Sequence, residues 1–262
     1  MKNKNKVALI TGAAHRLGKS IAMELHQKGI DIAIHCGQSI LAANQLKDKL
    51  NQIRPQSARV FSCDLIEPSN AKLLIEQINN QFGRLDYLVN NASIFYPTPI
   101  DQVQDQDQDQ DQDQDQDQDE QLEAFLQINF FQPVKLAQAV FPLLKKEGGS
   151  IVNLIDIYAE AGLENHTAYV ASKTGLLEAT KSLAVEFSPH VRVNGVSPGA
   201  ILWPDSNDSS DDCHQQKIID NTALKRRGRP SDISKTIAYL LTEASYSTGT
   251  VINVDGGRRL YI

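Results

Sequence analysis

Seven short runs rich in branched apolar residues punctuate the chain: Val7 to Ile10, Ile30 to His35, Arg59 to Ser62, Leu85 to Val89, Ser150 to Ile155, Val191 to Val196 and Thr250 to Val254. Between them lie longer segments whose apolar residues recur at helical spacing, as Ile21 and Leu25, or Leu73, Ile75 and Ile78, do. Near-continuous apolar runs of this length fit strands covered on both faces, and the intervening segments fit amphipathic helices. Strands that alternate with helices pair in parallel, because a parallel pair needs a long crossover. The reading is therefore α/β: a doubly wound sheet of seven mostly parallel strands with helices on both faces. With 262 residues, one such domain over 1–262 suffices.

Two stretches break the pattern. Around residues 104–119 Asp and Gln alternate with no apolar face in any conformation, which reads as a disordered or fraying insertion ahead of a helix starting near Glu120. Its eight aspartates from Asp105 to Asp119 outweigh the net charge of −6, so the rest of the chain is close to neutral and offers neither the basic stripe of a nucleic-acid binder nor an acidic face for a cationic partner. The second stretch, Leu202 to Asp212, is rich in Ser, Asp and Asn, follows the Pro198-Gly199 turn and precedes a helix near Gln215. It serves equally as a lid over a site or as a plain connector. Cys36, Cys63 and Cys213 are too few and too far apart for a disulfide framework, and Cys213-His214 has too few ligands for zinc. No metal site is expected. The basic start, Met1 to Lys6, leads into an apolar run that stops at Thr11-Gly12, too short for a signal or a span, so a cytoplasmic protein is expected.

The turn after the first strand reads Thr11-Gly12-Ala13-Ala14-His15-Arg16-Leu17-Gly18 and opens a helix. Glycines there let backbone approach a phosphate, which the helix N-terminus attracts. The second strand ends in His35-Cys36-Gly37-Gln38-Ser39, without the acid that holds the ribose hydroxyl of NAD, and this favours NADPH. Arg16 and Ser39 are the groups that can face a 2′-phosphate, although Ser39 fits equally as the N-cap of the second helix. Tyr169 and Lys173, four apart in a helical segment, share one face, and an ammonium beside a phenol lowers its pKa toward the working range.

Taken in chain order, Thr11 to Gly18, Asp64, Asn90-Asn91-Ala92, Asn129, Tyr169 with Lys173, and Pro198-Gly199 resemble the short-chain dehydrogenase/reductase family, a Rossmann-type fold, over essentially the whole length. The resemblance implies that Gly12, Arg16, Leu17 and Gly18 bind the cofactor pyrophosphate and that Asp64 lies by the adenine. Asn91, Ala92, Ser93, Ser39, Pro198 and Gly199, with Tyr169 and Lys173, complete the cofactor contacts, and Asn129, Tyr169 and Lys173 form a proton relay. A fourth relay position, usually Ser, falls on Asp156, and an ionised carboxylate cannot donate a hydrogen bond as Ser does.

Asp156 and the segment Asn91-Ala92-Ser93-Ile94-Phe95-Tyr96-Pro97-Thr98-Pro99 look like the pteridine reductase branch of that family. By resemblance Phe95 stacks on a pterin, Ser93 touches cofactor or pterin, and Arg16 reaches both phosphate and substrate; Phe95 and Tyr96 also fit as plain packing under a loop. The implied activity is NADPH-dependent hydride transfer to a C=N bond of a dihydropterin or dihydrofolate-like substrate, with Asp156, Tyr169, Lys173 and Asn129 catalytic, in a homotetramer. Gly37 and Gln38 replace the basic residues this branch carries for the 2′-phosphate, which weakens the preference for NADPH. The rival readings are a carbonyl or 3-oxoacyl thioester reductase of the same family and a non-catalytic dinucleotide sensor.

Overall fold

The structure, a computed structural model, describes residues 5–67, 69–99, 111–203 and 210–262. The strands are β1 Val7–Ile10, β2 Asp31–Cys36, β3 Ala58–Ser62, β4 Tyr87–Asn90, β5 Ser150–Leu154, β6 Arg192–Pro198 and β7 Val251–Val254. The helices are α1 Arg16–Gln27, α2 Ile40–Ile53, α3 Asn70–Phe82, α4 Asp111–Leu126, α5 Gln132–Glu147, α6 Thr167–Glu186, α7 Ser210–Asp220 and α8 Pro230–Thr242. The strands form one seven-stranded sheet in the order β3-β2-β1-β4-β5-β6-β7, and every neighbouring pair is parallel.

Alternate strand residues feed two cores, which is why the runs lack an apolar-polar alternation. On one face Ala8 and Ile10 of β1 pack with Ile21 and Leu25 of α1, Leu46 and Leu50 of α2, and Ile233 and Ile237 of α8. On the other, Val7 and Leu9 pack with Leu74 and Ile78 of α3, Val140 and Leu144 of α5, and Leu183 of α6. Burying each such Leu or Ile contributes about 1.5–3 kcal/mol.

This topology places the site. From β1 the chain winds outward to β3 and then crosses back to β4, so the loops leaving β1 and β4 diverge and open a crevice at the carboxyl ends of the strands. The 11–18 turn, the 91–99 segment, Asp156 and Pro198-Gly199 all follow strands at that edge.

Two helix starts differ from the sequence expectation. The backbone of α4 begins at Asp111, well ahead of Glu120, and that of α7 at Ser210 rather than near Gln215. Acidic residues are favoured in the opening turns of a helix by its dipole, and Gln is a good helix former, so both helices extend toward their polar ends. The rest of the Asp-Gln tract, 104–110, and positions 204–209 of the second polar stretch lie outside the described residues. Among the described residues no helix is long and apolar enough to cross a membrane, and no group of three or more His, Cys, Asp or Glu is placed to hold a metal.

Candidate active site

The turn after β1 is built for close approach. Gly12 has φ +61°, and a Cβ on Gly18 would meet the Gly12 carbonyl at 2.2 Å, so α1 packs on the turn only because position 18 lacks a side chain. Asn91 clamps the same turn, its Nδ2 donating to the Thr11 and Gly12 carbonyls at 2.8 and 3.1 Å. The Thr11 hydroxyl accepts the Asn91 and Ala92 amides, both at 2.9 Å. At the start of α1, His15 makes no side-chain cap bond and the first turn carries no acid, which leaves its amides for an external anion. A dinucleotide pyrophosphate fits this cradle. Asp64 is exposed, its Oδ1 accepting the Ile66 amide at 2.9 Å, and Ser39 is the N-cap residue of α2 but makes no side-chain cap bond.

A cavity of about 660 Å³ opens beside the turn, and Arg16, Leu17, Asn91, Ser93 and Phe95 form part of its wall. Asp156, Tyr169, Lys173, Pro198 and Gly199 form another part. Gly12, Gly18, Ala92, Ser39, Asp64 and Asn129 are not among the lining residues. Arg16 sits at φ +49°, a left-handed conformation costly for a residue with a Cβ, and its Nη2 donates to the Leu202 and Trp203 carbonyls at 3.3 and 3.2 Å. In this structure its guanidinium therefore spans to the 202–203 segment.

Asp156 follows β5 as the N-cap of a short 3₁₀ turn, Ile157–Glu160, where its Oδ1 accepts the Tyr158 amide at 3.0 Å. That cap leaves Oδ2 to accept the Tyr169 hydroxyl at 2.7 Å. Burial raises the Asp156 pKa, against the opposing pull of its hydrogen bonds and of Lys173 and Arg258. The expected lowering of the Tyr169 pKa does not occur. Burial raises it well above the ordinary phenol value and Asp156 adds to the rise, while Lys173 Nζ, 5.9 Å from the ring centroid, donates instead to the Leu154 carbonyl at 3.0 Å. Lys173 itself is pushed down to about 8 by burial, against the attraction of Asp156.

Asn129 lies in a π-helical turn, Gln127–Phe131, between α4 and α5. Its fully buried amide accepts the Ile94 N–H at 3.0 Å and donates to the Ile94 carbonyl and the Ser172 hydroxyl, each at 3.1 Å. It thereby ties the segment bearing Phe95 to α6.

The family model for enoyl-(acyl carrier protein) reductase matches residues 12–259. The chain belongs to the short-chain dehydrogenase/reductase family. It is thus an oxidoreductase. It is similar to the 3-oxoacyl-[acyl-carrier-protein] reductase FabG of Staphylococcus epidermidis, 31% identical with 97% of this chain and 98% of the relative covered. It is also similar to pteridine reductase 1 of Leishmania tarentolae, 34% identical over 97% of this chain and 96% of that one. The FabG of Thermotoga maritima is 29% identical over 98% and 99%.

Among the lining residues of this short-chain dehydrogenase/reductase that the sequence does not single out are His166, Arg258 and Trp203. His166, the N-cap of α6, stacks on Phe95 with ring centroids 4.7 Å apart and planes 17° from parallel. Its spacing of three before Tyr169, one helical turn away, was the available signal. Arg258, nearly buried, donates from Nη2 to the Tyr158 hydroxyl at 2.7 Å and from Nη1 to the Ile218 carbonyl of α7 at 3.2 Å. No local pattern marks it or Trp203; the return of β7 and the 202–203 segment to the strand ends brings them in. Phe95 is 55% exposed, and its ring meets Tyr169 edge-on at 4.7 Å. It is not packed away under its loop.

Proposed function

We propose that the chain is an NADPH-dependent reductase of a pterin ring, working in the cytoplasm on a dihydropterin or dihydrofolate-like substrate. The observation that carries this reading is the Asp156 carboxyl, where the family usually has Ser, 2.7 Å from the Tyr169 hydroxyl and beside the half-exposed ring of Phe95. A flat heteroaromatic gains from contact with a half-exposed aromatic ring, and its exocyclic amine and ring nitrogens suit a carboxyl and a hydroxyl. The similarity to a pteridine reductase agrees.

A nicotinamide dinucleotide bound in the crevice supplies the hydride for a ring C=N bond. Gly12, Leu17, Gly18 and the α1 amides would hold its pyrophosphate, with Asn91, Ala92, Ser93, Pro198 and Gly199 as the further residues that would contact it. The side chains manage the proton. Tyr169, its pKa raised, keeps its proton at Oη and donates it to the ring nitrogen as the carbon is reduced. Asp156, whose Oδ2 accepts that hydroxyl at 2.7 Å, is the group placed to take up a proton and return it to the tyrosine oxygen, and burial shifts its pKa in the direction that favours this. Lys173, anchored on the Leu154 carbonyl, has further donor protons for a ribose hydroxyl. Asn129 holds the Phe95 segment in register with α6.

One observation favours a second reading, reduction of a 3-oxoacyl thioester: the similarity to FabG proteins along nearly the whole chain. NADPH oxidation with a panel of dihydropterins beside an oxoacyl thioester separates the two. Assembly as a homotetramer belongs to the same proposal, supported by the apolar side chains of Val185, Tyr246, Leu260 and Tyr261, which this chain leaves exposed.

A further inference from the structure

His35, at the end of β2, is nearly buried, 3% exposed, yet both of its ring nitrogens are engaged. Nδ1 lies 3.3 Å from the Gly12 amide nitrogen, and Nε2 lies 3.1 Å from the Cys63 carbonyl oxygen. An amide N–H only donates and a carbonyl only accepts, so one arrangement satisfies both contacts: the neutral ring with its proton on Nε2. The His35 carbonyl also accepts the Ala13 amide at 2.9 Å, so residue 35 braces two successive positions of the turn. Gly12, at φ +61°, lies in the cradle argued above to receive the pyrophosphate, and Cys63 directly precedes Asp64 on the loop leaving β3.

We propose that His35 is a positioning residue for the dinucleotide: one neutral imidazole clamps the pyrophosphate turn to the loop leaving β3, and it holds both only while Nδ1 carries no proton. This rests on the dinucleotide reading of the crevice. A second proton would sit on Nδ1 facing the Gly12 N–H, donor against donor, and the turn would lose that brace. Asp64, on the loop after β3, is the charged group acting on the ring, and it favours the protonated form. Cys63 on that loop and Cys36 on β2 are the neighbouring titratable side chains, and burial pushes both thiols up, so they stay neutral beside it. Burial of His35 outweighs Asp64 and holds the ring below its ordinary value of 6.5. The clamp is therefore intact at neutral pH and lost on acidification.

The test has two parts on the full chain. Nitrogen chemical shifts of the histidine rings in wild-type protein at neutral pH read the tautomer directly. NADPH Kd is then measured by fluorescence titration across roughly pH 5–8 for wild type, His35→Gln and His35→Asn. Asn carries its carbonyl oxygen close to where Nδ1 lies, whereas Gln places its amide near Nε2. His35→Gln should bind NADPH about tenfold more weakly than wild type at neutral pH, because a buried N–H is left unpaired, and the gap should close on acidification as wild type loses its own clamp. His35→Asn should recover most of that loss, with a shallower acid limb than wild type, since the titration of the nucleotide's own phosphate is common to all three. A proton found on Nδ1 in the wild type, equal acid limbs in wild type and His35→Asn, or His35→Gln binding as tightly as His35→Asn would overturn the clamp. If His35→Gln does not fold, the tautomer and the His35→Asn profile decide. Failure of wild type to bind NADPH at all would instead overturn the dinucleotide reading, and the clamp with it.

Discussion

A carboxyl enclosed beside a phenol and an ammonium either keeps its proton or is balanced by its neighbours, and Asp156 does some of each. Its folded-state pKa lies above the unfolded value of 3.8, so the folded chain binds this proton more tightly than the unfolded chain does. The stability it contributes is present below that value and is lost as pH rises through the raised one. Denaturant titrations of Asp156→Asn should therefore show the variant gaining on wild type as pH rises above the ordinary carboxyl value; a difference that stays flat would mean that the carboxyl is not perturbed. In turnover the order reverses. Asp156→Ser, which restores the common relay residue, should cut dihydropterin kcat on the order of 10²-fold while NADPH binding persists, as steady-state rates and a binding titration will show. Lys173 loses its proton at about 8, so the free enzyme's kcat/KM should fall on the basic side of that pH. Lys173→Arg, which stays charged, should lose that limb even if it is slow. At this scale Tyr169 and Lys173 were legible from helical spacing, and Asp156 from the family resemblance. His166, Arg258 and the clamp on His35 were not, since each depends on a contact between distant segments. The direction of the Tyr169 shift was misread for a related reason: burial and a carboxyl 13 residues away raise it, while the lysine one turn along is engaged by the Leu154 carbonyl.

The segment from α4 to α5 shows how an element with a polar start is held. Phe125 is fully buried, tilted against Tyr96 at 4.6 Å and edge-on to Tyr169 at 6.3 Å, so one ring anchors the end of α4 under the site. Phe125→Ala should cost about 3–5 kcal/mol by chemical denaturation and also raise the KM for the substrate, because Tyr96 and Tyr169 both lose a neighbour. Excision of Asp105 to Gln118 removes no apolar residue, and a Tm within a few degrees of wild type is expected. A drop of ten degrees or more, or loss of soluble protein, would show that the tract carries structure. The strands were readable because burial on both faces favours apolar residues along most of their length. The starts of α4 and α7 were not, because a polar helical end has no periodic face to announce it.

Across the whole molecule, a parallel sheet with its crossover between β3 and β4 gathers residues spread from Arg16 to Arg258 at one crevice, so the order of the strands decides which of them can meet. The same topology sets the cofactor end. Gly37 and Gln38 are exposed and uncharged and Arg16 is engaged by the Leu202 and Trp203 carbonyls, so Ser39 is the group left for a 2′-phosphate. The preference for NADPH over NADH should accordingly be about tenfold in kcat/KM, and equal efficiency would remove it. Light scattering on a size-exclusion column should give a mass about four times 29.0 kDa, and a 29.0 kDa particle would contradict the tetramer. The most direct test of the central claim is the rate of NADPH oxidation by purified protein with a dihydropterin and, separately, with a 3-oxoacyl thioester. Turnover of the dihydropterin, lost in Asp156→Ser, is the predicted result; turnover of the thioester with none of the pterin would contradict the account.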